Sequence, residues 1–307
     1  MSTPAPVGAI TVGSLARRFR GGVAITLSLV VLEAAALLLF PLVIGLAIDD
    51  LLQDELGGVA LLGGLGVVTL AVGALRRLID TRTYARIYET TASELAAAEH
   101  ERGTDVSTVA ARTTLLNEFI EFLENSMPMI VNSAVGIVGT LIILARIDVG
   151  VFAASLGLAV LVTVVYAATG RRNLALTTGY NDELERQVGA LSTRTAGGAR
   201  RHFAELMRWN RTLSDLETIN FSLIYLGVIA LLVYSPIAVV DGADPQYGFV
   251  FATIMYVLQY VESVLETPLF LQQLIRLREI SQRLGAVSAP PEDRAARPIA
   301  SPSGRAG

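Results

Sequence analysis

The sequence predicts an all-α integral membrane protein, with six transmembrane helices and two long helical hairpins on the cytoplasmic side. Three observations predict it. The 307 residues are 52% hydrophobic and only 17% charged, with a mean hydropathy of +0.55, whereas a soluble domain is nearer a quarter charged. The apolar residues fall in blocks of about twenty, the length that crosses a bilayer. The segments between blocks alternate between very short and roughly fifty residues, and the long ones read as helix, break, helix.

Residues 1–14 are small, apolar and proline-bearing, and are expected to be disordered. The basic LARRFRGG stretch follows, read as a positive flank that holds the N-terminus in the cytoplasm, with a short elbow helix on the membrane surface as the other reading. A cleaved signal peptide does not fit, because the next apolar run is too long and lacks a cleavage-type end. The first span is about Gly22–Ile48 and the second about Gly57–Leu75.

The polar stretch Arg76 to Pro128 comes next. Its upstream half is rich in Ala, Leu, Glu and Arg and holds no proline or glycine before Gly103, so it predicts a helix. A break falls at Gly103-Thr104-Asp105, and a second helical pattern returns. An arm of about 25 residues reaches roughly 35–40 Å at 1.5 Å per residue. A hairpin of that length needs something to touch.

The third span is about Met129–Leu144 and the fourth Val149–Thr169. A second long segment, Arg171 to Asn220, again reads as helix and helix around a small-residue break at Ala196-Gly197-Gly198. The fifth span is about Phe221–Val240, and the sixth begins near Tyr247 and runs past Leu265. From residue 285 the chain is rich in Pro, Ala and Ser and reads as a disordered tail. The two long segments repeat an architecture without repeating a sequence.

Arginine placement sets the expected orientation. Arg17, Arg18 and Arg20 precede span one, Arg76 and Arg77 follow span two, Arg171 and Arg172 follow span four, and Arg276 and Arg278 follow span six. The short loops carry aspartates and a single arginine, Arg146. Both termini are therefore expected inside, in a multi-pass protein of the plasma membrane.

Composition excludes several chemistries. There is no cysteine, so no disulfide or thiolate metal site exists in this chain. His100 and His202 stand far apart, each without a ligand-type neighbour in sequence, so no metal site is expected. All 24 basic residues are arginine, and without lysine no Walker A phosphate loop can form. No nucleophile triad or cofactor motif is found, and neither catalysis nor a cofactor is expected. The arginines are split among separate segments, which gives nucleic-acid binding no support.

The arrangement resembles the membrane domain of an ABC exporter of the six-helix, domain-swapped type, over about Leu15 to Leu284. PLVIGLAIDDLL at Pro41–Leu52 is similar to the family's usual end of span one. The stretch from Gly103 through span three is similar to the segment around its first coupling helix. Gly103 and Arg112 stand at comparable places, although Ala111 replaces the usual serine. PLFLQQLIRLREISQRL is similar to the family's exit from span six. Full-length relatives carry an ATP-binding domain after span six, and the tail here is too short for one. The resemblance therefore implies a stand-alone transmembrane domain that pairs with itself or a similar half and is driven by a separate ATP-binding subunit. The other reading is a domain that has lost the ATP step and acts as regulator, scaffold or channel. Glu33-Ala34-Ala35 spells the importers' EAA, but inside span one, where that motif does not belong.

Two groups of residues are candidates for function. An ionisable side chain inside a span costs about 2.5–3.5 kcal/mol by insertion scales, so it usually faces a cavity or a partner. Glu33 lies near the middle of span one with no basic residue close in sequence. Gln259, Glu262, Glu266 and Gln273 recur at helical spacing in span six, and Tyr256 continues that stripe. Pro268 is expected to kink the helix. Together Glu33, Tyr256, Gln259, Glu262 and Glu266 read as an acidic pathway for cationic or polar substrates. The other reading makes span six simply a long amphipathic helix. The second group is at the hairpin ends, where the resemblance implies docking on an ATPase: Gly103, Asp105 and Arg112 in the first, Arg200, Phe203 and Trp209 in the second. Phe203, Met207 and Trp209 among arginines resemble interface anchors; the bland alternative packs them inside the bundle.

Overall fold

The computed structural model describes residues 17–192, 196–240 and 246–288. Those residues form helices joined by short connections, with no strand among them. In chain order they are α1 Arg20–Leu52, α2 Gly57–Glu101, α3 Val106–Glu121, a π-helical turn Phe122–Ser126, α4 Met127–Ile147, α5 Val149–Glu185, α6 Gln187–Ser192, α7 Ala196–Val240 and α8 Tyr247–Ser288. Six stretches are long and apolar enough to cross a membrane. The spans do not stop where the apolar residues stop. α2, α5 and α7 each run unbroken from an apolar half into a polar half, because the polar halves keep strong helix formers and lack proline.

The first hairpin breaks where the sequence predicts, between Glu101 and Val106. In the second, α5 is interrupted at Arg186, α6 ends at Ser192 and α7 starts at Ala196, so that Gly197 and Gly198 lie in the first turn of α7; residues 193–195 are outside the described set. The π turn before α4 had no sequence signal. Residues 1–14 lie outside the described residues, and so does most of the expected tail, although α8 itself continues to Ser288. Pro268 is helical backbone whose side chain is outside the described set.

The chain divides into two compact units. One comprises residues 1–39, 63–135 and 266–307. Its core joins Tyr84, Ile87 and Leu95 of α2 to Leu116, Phe119 and Ile120 of α3 and Ile280 of α8, with Phe19 and Val23 packed against them. On α2 the buried stripe runs 84, 87, 91, 95, 99, the three-and-four spacing of one helix face. Arg18 makes a bidentate bond to Glu94, both at 2.6 Å.

The other unit comprises residues 40–62 and 136–265. Its core takes Leu144 of α4, Val151, Leu158, Val162 and Val165 of α5, Ile224, Val228 and Leu231 of α7, and Tyr256, Val257 and Tyr260 of α8. The Tyr260 hydroxyl donates to the Ser155 carbonyl at 2.8 Å, so a buried phenol is satisfied deep among apolar side chains. Asp50 caps the start of α2 through the Gly58 amide at 2.6 Å, and Asp148 caps α5 through the Val151 amide at 2.8 Å. In contrast to these packed faces, Leu61, Val67 and Leu70 on α2 are 52, 68 and 74% exposed, as lipid-facing side chains would be.

Candidate functional site

The end of the first hairpin is built as a locked turn. Gly103 has φ +69, a left-handed conformation that glycine adopts without a Cβ penalty. Its amide donates to the His100 carbonyl at 3.0 Å, and the Thr104 amide to the Glu99 carbonyl at 3.0 Å, the paired bonds of a Schellman cap. Asp105 then starts α3, accepting the Ser107 amide at 3.1 Å. Those hydrogen bonds from Ser107 hold the exposed Asp105 carboxyl below its ordinary range.

Beneath the turn lies a charge cluster that sequence reasoning missed. The Glu99 carboxylate is buried, ion-paired to Arg112, bonded to Arg102 at 3.0 Å, and accepts the Thr104 hydroxyl at 2.7 Å. Burial pushes the Glu99 acid up, but the Thr104 hydrogen bond and the Arg112 and Arg102 charges outweigh it and hold it below its usual range. Arg112 is buried too, and its ion pair with Glu99 fastens the turn from inside. The available signal was that both residues continue apolar stripes, Glu99 on α2 and Arg112 on α3, where an unpaired charge could not be tolerated.

The second hairpin separates residues that the sequence had grouped. Trp209 is half-buried, with its ring over Gly179 of α5; a Cβ at Gly179 would come within 2.9 Å of the indole. Two turns away on the same side, His202 is buried with its Nδ1 2.8 Å from Glu183 Oε1. Phe203 and Met207 are on the other side, 43 and 44% exposed, flanked at helical spacing by the exposed Arg200 and Arg211. The exposed stripe is therefore Arg200, Phe203, Met207 and Arg211, and Trp209 belongs to the packing between α5 and α7. At the base of this hairpin Asn220 donates to Thr169 Oγ1 at 3.0 Å.

The expected acidic pathway is also resolved residue by residue. Tyr256 is buried in the core of the second unit. It stands one i,i+3 step before Gln259, at the buried edge of the face that carries Gln259, Glu262 and Glu266. Gln259 is half-buried, with an Oε1 that is shielded from solvent and has no hydrogen-bond partner, and Glu262 is exposed. Glu266 is half-buried and falls in the first unit. Glu33, also in the first unit, is ion-paired to Arg76, which bonds Asp80 as well at 2.9 Å. Glu33 stands nineteen positions before Leu52, and Arg76 nineteen after Gly57. That is about 28 Å of helix on either side of the turn, close to one hydrocarbon thickness. Glu33 and Arg76 thus stand at matching distances from the turn, and the pair was legible by counting from it.

Among curated proteins none matches the chain. Residues 13–242 match the family described as ABC transporter transmembrane region. The match takes in α1 through α7 and both long hairpins, which are the features that the fold sets apart from an ordinary helical bundle. A membrane protein with these helices and that match over most of its length belongs to the ABC transporter transmembrane-region family.

Proposed function

We propose that this chain is the membrane-spanning subunit of an ABC-type exporter, paired with itself or with a similar half, and driven by a separately encoded ATP-binding subunit. In this reading both termini and both hairpins are cytoplasmic, in the plasma membrane, and the chain itself hydrolyses no ATP. The observation that carries it is the exposed stripe Arg200, Phe203, Met207 and Arg211. Phe203 is eighteen positions before the apolar stretch that starts at Phe221, about 27 Å along the helix. Lipid does not reach that far. An exposed aromatic and a thioether flanked by guanidinium groups there suit a protein partner. The locked turn at Gly103–Asp105 supports the same reading, since a lever transmits force only if its end is stiff. The exposed Glu262 and half-buried Gln259 support a polar pathway completed by the second half.

The test is purification of the tagged chain from its native membrane, with mass spectrometry of what accompanies it. An ATP-binding polypeptide in stoichiometric yield, and ATP-dependent transport by the reconstituted pair, is the expected result. A chain that neither brings down such a subunit nor transports anything when one is supplied overturns the proposal in favour of an ATP-independent role.

A further inference from the structure

Glu33, Arg76 and Asp80 form a buried group within the first unit, with side chains 17, 15 and 5% exposed. Arg76 donates through Nε to Glu33 and through Nη1 to Asp80 at 2.9 Å. Two carboxylates therefore share one guanidinium, and the group carries a net charge of −1 when both are ionised. The second Asp80 oxygen, Oδ1, is shielded from solvent and has no hydrogen-bond partner. The site is shaped for this group. At Gly73 a Cβ would come 2.9 Å from Glu33 Oε1, so glycine leaves the room that the carboxylate fills.

α1 contributes Glu33 and the Thr26 hydroxyl, which bonds Tyr84. α2 contributes Arg76 and Tyr84, one turn beyond Asp80. The π turn contributes Glu124, whose Oε1 accepts from Thr81 at 3.4 Å. Among the described residues in this group the single cation in contact is Arg76, against Glu33, Asp80 and the more distant Glu124. A buried ionised oxygen without a donor is far costlier than a neutral one. Like charges at one site drive one acid to its neutral form. Asp80 is the member with the orphaned oxygen, and Glu33, the more exposed, opens a way for exchange with water.

We propose that the Glu33–Arg76–Asp80 group is a proton-binding site, in which Asp80 takes up one proton from water. One O–H bond forms on the Asp80 carboxylate, no protein bond breaks, and the charge of the group alternates between −1 and 0. Protonation leaves Arg76 to Glu33 alone and so tightens α1 on α2; deprotonation divides the guanidinium between the two acids. The site stands independently of any ATP-binding partner.

The test is infrared spectroscopy of the full chain in lipid nanodiscs, with aspartate carrying 13C in its side-chain carboxyl. No substitution is needed for the first arm. A protonated-carboxyl band near neutral pH that shifts with the aspartate label, and disappears on alkaline titration, is expected. Asp80→Asn should remove it. Glu33→Gln should keep it but lower its midpoint by about one pH unit or more, since the like charge is gone. Absence of any labelled band near neutral pH, or a band that survives Asp80→Asn, overturns the proposal. So does a band near neutral pH that does not move with the aspartate label and is abolished by Glu33→Gln, which would put the proton on the other acid.

Discussion

Asp49 and Gly248 are 199 residues apart in sequence, and Asp49 Oδ1 accepts the Gly248 amide at 2.8 Å. The bond ties the end of α1 to the first turn of α8 inside the second unit. It is possible because Gly45 and Gly248 bring the two backbones into direct contact; a Cβ on either would strike the other's carbonyl. No flexible side chain is available there to yield. Overpacking typically costs about 1–3 kcal/mol, and a clash against backbone belongs at the upper end. Gly248→Ala and Gly45→Ala are expected to lower the thermal midpoint of the purified protein by several degrees. Asp49→Asn, which keeps a carbonyl acceptor, should lower it by less. Equal midpoints for Gly248→Ala and the parent would show that the two helices are not held this closely.

Phe203 and Trp209 are expected to separate by experiment as they do in space. Phe203→Ala together with Met207→Ala removes exposed surface, so stability should hold within roughly 0.5 kcal/mol. Recovery of an ATP-binding subunit should fall. Trp209→Ala opens a void against Gly179 and should cost roughly 2 kcal/mol, below the 3–5 kcal/mol of a fully buried tryptophan. Thermal melts and co-purification yields measured on the same preparations check both. A Trp209→Ala protein of parental stability that loses its partner would restore Trp209 to the docking surface.

Much of this was legible in the sequence, for reasons that the residues make plain. The blocks of about twenty apolar residues fix the spans because bilayer thickness leaves little choice. Gly103 and Asp105 marked the first turn because each satisfies a specific helix-end need. At the second turn Gly197 and Gly198 pointed to the start of the return helix, which begins at Ala196, while the interruption at Arg186 has no glycine or proline beside it to announce it. The Glu33–Arg76 pair could have been found by counting outward from the turn at Gln53–Leu56, and the side of Trp209 by its three-residue step from Leu206. The Tyr260 bond to Ser155 and the Asp49 cap on Gly248 could not. Each joins helices that are not consecutive, and periodicity on one helix does not say which other helix it meets.

Glu99 and Arg112 test whether the first hairpin end is held by its buried charge. Removing one partner of a buried pair strands the other, at a cost of about 3–5 kcal/mol, whereas replacing both by apolar groups is often neutral. Glu99→Ala is expected to loosen residues 99–112, seen as faster amide exchange and earlier proteolysis there. Glu99→Leu with Arg112→Met should restore much of the protection. If the single and double variants exchange alike, the cluster is not what holds the turn. Since Arg112 is inward, the double variant should also keep its recovery of an ATP-binding subunit, which a docking arginine would not permit.

Acidification should weaken the two stalk contacts that depend on carboxylates outside the apolar spans. The Arg18 hydrogen bond holds the Glu94 acid below its ordinary range, with burial opposing and the Arg18 charge adding to the effect. Ser107 does the same for Asp105. A carboxyl whose folded pKa is depressed binds its proton more readily in the unfolded chain. Its contribution is therefore whole above the unfolded value of about 4, and is lost as pH falls through the folded one. The Arg18–Glu94 pair is well exposed, so it supplies less than about 1 kcal/mol. Glu94→Gln and Asp105→Asn are each expected to melt below the parent at pH 7. The gap should close as the pH is taken toward 3, because protonation does to the parent what the substitution does to the variant. A gap that stays constant across that range would mean that the lost stability comes from packing and not from the charge.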